Sequence, residues 1–335
     1  MIFGIDMYKV FKINYRGSGT EIGLYLVLCN KDSLLMRTNR DLIEGVETGN
    51  FLFLARALTI VENELEGSAE LLRSLKFRDN VKIIGITGPP GAGKSTLVSA
   101  IVDQMITNGK KIAVLAVDPT SPFNLGALLG DRIRMAKHFN NPEIYIRSIA
   151  TRGSVGGLAA KVIEMVDVLK ASFFDYILIE TVGVGQSEIE VAGLADQTIV
   201  VLVPESGDEI QHIKSGLMEI ANAFIVNKSD REGAEIFANN LKKILHKTVE
   251  VPVFPTIAHQ NVGLDEVLKW IDSNVVDDGG RRAFLYAEKA FRIIQNYRVK
   301  DISRSNLLEA VRQEIQKPGF NLYFFIDEYL ALRPL

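Results

Sequence analysis

The chain has 335 residues, enough for one large α/β domain with extensions or for two domains with substantial cores. Its 38 basic and 41 acidic residues leave a net charge of −3, which removes the electrostatic case for nucleic acid or an anionic membrane surface as the main partner. A single cysteine, Cys29, excludes an internal disulfide and a cysteine metal cluster, and with four scattered histidines it points to a reduced, cytoplasmic setting. No apolar run approaches the ~20 residues that span a bilayer, and the first residues show no basic stretch followed by an apolar core and cleavage site.

Residues 1–40 read as a β-favouring segment of unknown role, in which Tyr8–Tyr15 and Ile22–Cys29 are divided by a hairpin-like break at Arg16-Gly17-Ser18-Gly19. Met36 heads a stretch that would serve equally as a native start. Leu54, Leu58, Val61 and Leu65 recur at helical spacing, predicting two or three helices over 41–78 that pack on the core of the next domain. Across 79–276, Val- and Ile-rich runs alternate with longer helical patterns. The runs are Val81–Thr87, Lys111–Val117, Glu143–Ile149, Asp175–Glu180, Thr198–Val203, Ala223–Val226 and Val251–Phe254. This alternation predicts an α/β fold with a mostly parallel sheet flanked by helices, the carboxyl ends of the strands forming one ligand-binding edge. Beyond Asp277-Asp278-Gly279-Gly280, residues 281–335 carry two helical faces, one with Phe284, Ala287, Phe291 and Ile294 and one with Leu308, Val311 and Ile315. Pro318-Gly319 stops the second before an apolar tail, Phe320 to Leu332. Both faces are expected to pack on the domain or, as a dimerisation arm, on a second copy.

The most informative motif is Gly88-Pro89-Pro90-Gly91-Ala92-Gly93-Lys94-Ser95, set between the apolar run Val81–Thr87 and a helical pattern opening at Thr96. That context makes it a phosphate-binding P-loop of an NTPase. Glycines let the backbone approach phosphate oxygens, so successive N–H groups and the helix N-terminus face the anion. Lys94 is then expected at the β- and γ-phosphates and the Ser95 hydroxyl at a Mg²⁺ ion.

Asn227-Lys228-Ser229-Asp230 ends another apolar run. The Asp230 carboxylate can accept hydrogen bonds from both the ring N–H and the exocyclic amine of guanine, whereas adenine would leave it facing an acceptor. Asn227 would tie this loop to the phosphate loop, the Lys228 stem would cover the base, and the Thr256-Ile257-Ala258 backbone would meet the guanine oxygen. Glu180 in Glu180-Thr181-Val182-Gly183 ends a buried strand, where a carboxylate is costly unless paired or beside a metal, and Gly183 could offer its N–H to the γ-phosphate. Asp118 ends a strand in the same way. Asp131 either completes an acidic Mg²⁺ surround or pairs with Arg132 or Arg134. Arg134, Arg147 and Arg152 are further candidates to neutralise transition-state charge.

Four segments together carry a resemblance. They are Asp118-Pro119-Thr120-Ser121-Pro122-Phe123, Gly130-Asp131-Arg132-Ile133-Arg134-Met135, Glu180 through Glu188, and Gly207-Asp208-Glu209-Ile210-Gln211. In order and spacing they resemble the GTPases that chaperone cobalamin-dependent acyl-CoA mutases, chiefly methylmalonyl-CoA mutase, a group with MeaB, ArgK and MMAA-like members. The resemblance covers about residues 41–275. It implies bound GTP or GDP with Mg²⁺, a mutase partner whose cofactor delivery is gated and protected, and switch loops near 118–135, 151–158 with 180–188, and 204–216. By position it implies that Gln211 and Lys214 couple partner binding to hydrolysis, while Glu205-Ser206 departs from the small residues usual there. Val184 stands where many small GTPases place a water-orienting Gln, so slow hydrolysis without a partner is expected. The alternatives are a transport-associated ATPase or kinase for lysine, arginine and ornithine, a nickel-type or other metallochaperone GTPase, for which one cysteine offers no metal site, and a non-catalytic GTP-dependent assembly module.

Overall fold

The structure, a computed structural model, describes residues 9–17, 20–28, 39–78, 80–118, 135–138, 141–150, 158–181, 195–205, 221–245, 251–273, 301–317 and 319–331, with isolated positions between 283 and 299. Strands β1 (Lys9–Gly17) and β2 (Thr20–Leu28) pair antiparallel, from Lys9 opposite Leu28 to Gly17 opposite Thr20. Three helices come next: α1 (Asn39–Glu47), α2 (Phe51–Glu62) and α3 (Ser68–Ser74). Asn50 starts α2 by accepting hydrogen bonds from the Leu52 and Phe53 N–H groups, a typical N-cap.

Seven strands then build one sheet: β3 (Lys82–Thr87), β4 (Ile112–Asp118), β5 (Ile144–Ala150), β6 (Tyr176–Thr181), β7 (Gln197–Leu202), β8 (Ala223–Val226) and β9 (Val253–Pro255). Their order is β5-β4-β6-β3-β7-β8-β9 and every pairing is parallel, so the expected mostly parallel sheet is wholly so. Between strands run α4 (Lys94–Thr107), α5 (Leu158–Lys170) and α6 (Ala234–Leu245), with α7 (Leu264–Asp272) after β9.

Strand runs that are apolar throughout sort by alternation onto two buried faces. Ala113, Leu115, Ile177 and Ile179 meet Leu54, Leu58 and Val61 of α2 and Val162 and Val166 of α5. On the opposite face Ile84, Ile86, Val114, Leu178 and Val201 are covered by Leu97 and Ile101 of α4 and Val267 of α7. Because β7 and β8 alternate in the same way, Val200, Leu202, Phe224 and Val226 extend the first face beneath Phe237 and Leu241 of α6.

The chain leaves β3 toward β4 on one side, while β7 opens the other half of the sheet. The carboxyl ends of β3 and β7 therefore flank the switch point where parallel sheets hold ligands.

One expectation needs correction. Leu65 does not extend the α2 stripe: the helix ends at Glu62, Glu64 turns left-handed at φ 49°, and Leu65 is 47% exposed. Among the described residues of the C-terminal faces, Phe291, Ile294, Leu308 and Ile315 are all more than half exposed. The apolar tail is itself helical. After α8 (Arg304–Glu314), α9 (Leu322–Ala331) buries Phe325 and Tyr329, whose rings lie 5.6 Å apart.

Candidate functional site

The loop after β3 is shaped by glycine where nothing else fits. At Gly88, with φ 135°, a Cβ would come 2.1 Å from the Val201 carbonyl oxygen of β7. At Gly93, with φ 85°, it would come 2.5 Å from Asn227 Nδ2. Gly93 is also the N-cap of α4 and supplies no side-chain acceptor, so the first-turn N–H groups of α4 carry no cap and leave the positive helix end open to an anion. Lys94 is buried, and its Nζ curls back to donate to the carbonyls of Gly88 at 2.7 Å and Pro89 at 2.9 Å.

One residue on, Ser95 Oγ donates to Glu180 Oε1 at 2.6 Å, both side chains being buried. Glu180 stands on β6 opposite Ile86 of β3, so strand register alone places it beneath the phosphate loop. Sequence reasoning missed the adjacent Thr181, whose hydroxyl donates to Thr87 Oγ1 at 2.9 Å within the buried interior. That bond ties the last residues of β3 and β6 together immediately before their loops. Its only sequence signal is a threonine closing each of two apolar strands.

The loop after β8 is bonded to the phosphate loop. Asn227 Nδ2 donates to the Ala92 carbonyl at 2.9 Å, and Lys228, left-handed at φ 57°, donates from Nζ to the Gly91 carbonyl at 2.8 Å. Asn227 Oδ1 accepts from the Ala258 N–H at 3.2 Å and from Thr256 Oγ1 at 3.3 Å. The N–H expected at the guanine oxygen is thus held by Asn227 here, through a long bond. Ser229 N–H donates to the Thr256 carbonyl at 3.0 Å, and Asp230 is exposed. Lys94, Ser95, Glu180, Asn227, Lys228, Asp230, Thr256 and Ala258 consequently share one sheet edge.

Arg147 belongs elsewhere. Its guanidinium pairs with Glu62 and donates to Thr59 Oγ1 at 3.2 Å and the Ala55 carbonyl at 3.4 Å, fastening β5 to α2. Burial works against its charge, but the hydrogen bond to Glu62 and the neighbouring Tyr145 and Glu62 more than offset it, raising its pKa. Asp131, Gly183, Gln211, Lys214, Arg134 and Arg152 lie outside the described residues, as do most of the switch segments and the side chain of Asp118, whose backbone ends β4.

Two protein groups among the described residues suit Mg²⁺: the Ser95 hydroxyl and the Glu180 carboxylate. No cluster of three or more His, Cys, Asp or Glu side chains occurs among those residues. A hydroxyl and a carboxylate are hard oxygen donors, which suit an ion that keeps waters and takes phosphate oxygens as further ligands. No described helix is long and apolar enough to cross a membrane.

Comparison with known proteins agrees with this geometry. A Pyrococcus abyssi protein named for GTPase activity alone is 47% identical over 236 residues, covering 68% of this chain and 73% of that protein. GTPase ArgK of Escherichia coli is 39% identical over 193 residues, covering 56% and 58% of the two chains. The mitochondrial methylmalonic aciduria type A homolog of Caenorhabditis elegans is 38% identical over 205 residues, covering 56% and 51%. The crystal structure titled LAO/AO transport system kinase superposes with a TM-score of 0.64 over 91% of this chain and 99% of that one, and at 24% identity this bears on the fold alone. The family described as methylmalonyl Co-A mutase-associated GTPase MeaB matches residues 54–314, a span that takes in every strand of the parallel sheet and both nucleotide loops, and the chain belongs to that family.

Proposed function

We propose that this GTPase binds GTP with Mg²⁺, hydrolyses it slowly by itself, and gates cofactor delivery to a cobalamin-dependent acyl-CoA mutase of the methylmalonyl-CoA mutase type, which it also protects. The observation that carries the nucleotide reading is the buried Ser95–Glu180 hydrogen bond at the uncapped start of α4, beside Lys94. In this reading the N–H groups of Gly91 through Thr96 surround the phosphates after Gly88, Pro89 and Pro90 have turned the chain, and Lys94 leaves its two carbonyls for the β- and γ-oxygens. Ser95, Glu180, Asp118 and Asp131 hold the Mg²⁺, which when bound neutralises charge on the phosphate oxygens. Gly183 faces the γ-phosphate. Asn227 keeps the two loops together, Lys228 covers the base, Asp230 accepts its two donors, and Thr256 and Ala258 close its oxygen side.

Support for the mutase role comes from the family description and from the name of the Caenorhabditis elegans relative. Gln211 and Lys214 are assigned to coupling between partner and site, and the exposed C-terminal helices to pairing of two copies. A transport-associated ATPase or kinase has less behind it: a carboxylate at Asp230 disfavours adenine, and the Escherichia coli relative is itself named a GTPase. The test is GTP turnover with and without a purified cognate mutase. Turnover should rise on addition, and Gln211→Ala or Lys214→Ala should reduce the rise more than the basal rate. A cognate mutase that neither binds nor changes turnover would remove the chaperone role and leave the GTPase.

A further inference from the structure

Arg231 comes directly after Asp230 in the chain, yet its guanidinium is held by Glu205, in the turn after β7. β7 lies between β3 and β8 in the sheet, so this turn stands between the phosphate loop and the loop that carries Asp230. Arg231 cannot move far from Asp230, because its N–H donates to the Lys228 carbonyl at 3.0 Å and closes a tight turn. The next element offers both signs: α6 begins at Ala234 with a positive N-terminal end and carries Glu235 in its first turn. Among the described residues the Asp230 carboxylate has no hydrogen-bond or ion-pair partner of its own. The hydrogen bond from Arg231 holds the Glu205 carboxyl below the usual range, so Glu205 is charged and able to keep its partner.

We propose that Glu205 sequesters Arg231, drawing its guanidinium away from Asp230 so that this carboxylate stays free for the two donors of guanine. Glu205 is thereby a specificity-positioning residue that acts through its neighbour. Without Glu205 the carboxylates next to Arg231 in the chain are Asp230, Glu232 and Glu235, and a guanidinium bonded to Asp230 competes with the base for the same oxygens. The inference rests on the reading of Asp230 as the guanine acceptor.

The pair is about half exposed, with side chains 47% and 52% accessible, so its loss should not unfold the chain. Binding of a fluorescent GDP is measured for the native protein, Glu205→Ala, Arg231→Ala and the double variant, with Tm recorded for each. Glu205→Ala should bind about two- to fivefold more weakly, the scale of an exposed ion pair. Arg231→Ala and the double variant should bind like the native protein, and added salt should shrink the Glu205→Ala defect. An ordinary structural ion pair would instead weaken binding equally in both single variants, with no rescue in the double. That pattern, or native binding by Glu205→Ala, overturns the proposal. If Asp230→Asn abolishes the preference for GTP over ATP while Glu205→Ala binds normally, only the sequestration fails. If the native protein shows no such preference, the Asp230 reading fails and the sequestration with it.

Discussion

Asp230 is the residue on which base selectivity turns, because a carboxylate can accept from both the ring N–H and the exocyclic amine of guanine. Asp230→Asn should weaken GTP binding by about 2 kcal/mol and shift preference toward xanthosine triphosphate, whose added carbonyl suits an amide donor; a titration with the two nucleotides checks this. His138 offers a separate residue-scale test. It is buried just after the segment 119–134, with Nε2 3.3 Å from Asp103 Oδ1 of α4, and Asp103 also pairs with Lys137. Burial lowers its pKa below the ordinary 6.5; Asp103 raises it less, and Lys137 adds to the lowering. As the pH falls below 6.5 the unfolded chain takes this proton before the folded one. The contribution of His138 to stability is therefore complete above pH 6.5 and declines as the pH drops toward the folded-state value. His138→Gln should flatten the dependence of Tm on pH over that interval, and Asp103→Asn, which removes the opposing influence, should steepen it.

At the scale of elements, α2 connects the N-terminal helices to the two sides of the segment 151–157. Its last turn holds Arg147 of β5 through Glu62 and Thr59, and just beyond it Glu64 pairs with Lys161 of α5. These two attachments bracket a segment that the family resemblance names as a switch, while Leu54, Leu58 and Val61 anchor the helix in the core. Arg147 and Glu62 are only about one-fifth exposed, so removing one leaves the other with much of its hydration gone. Glu62→Ala should cost about 1–3 kcal/mol in urea unfolding, less than a fully buried pair because Thr59 and the Ala55 carbonyl remain as partners. A loss near zero would show that α2 is held by its apolar stripe alone.

For the whole molecule, the notable surface is the C-terminal one. Phe291, Tyr297, Tyr323 and Phe324 are all more than half exposed in the single chain. An exposed apolar surface of this kind is a feature of association interfaces. Light scattering should give the mass of two chains, and Phe324→Asp, which places a charge on that surface without touching the core, should shift the population toward one chain. A monomeric native protein at micromolar concentration would refute the pairing.

Local periodicity and loop chemistry were enough to reveal the fold class, the seven strands within a residue or two, and the motifs that carry Lys94, Ser95, Glu180, Asn227 and Asp230. Runs buried on both faces are apolar throughout, and phosphate loops need glycines, so both features are written locally. Motif chemistry also anticipates that Asn227 ties its loop to the phosphate loop, but the atoms that meet are not written locally. Ser95 finds Glu180 85 positions later, and Asn227 finds Ala92 135 positions earlier, because strand order and register set those distances, and neither leaves a local mark. The same holds for Arg147, which in the sequence is as eligible for charge neutralisation as any loop arginine, until the packing of α2 on β5 gives it Glu62. Leu65 fits the helical stripe by spacing and misses it because the helix stops at Glu62. Residue order thus specifies which chemistry the chain carries and on which kind of element each group sits. Which residues share the site is settled in three dimensions, since parallel pairing brings distant strand ends to one edge through contacts that no short window of sequence contains.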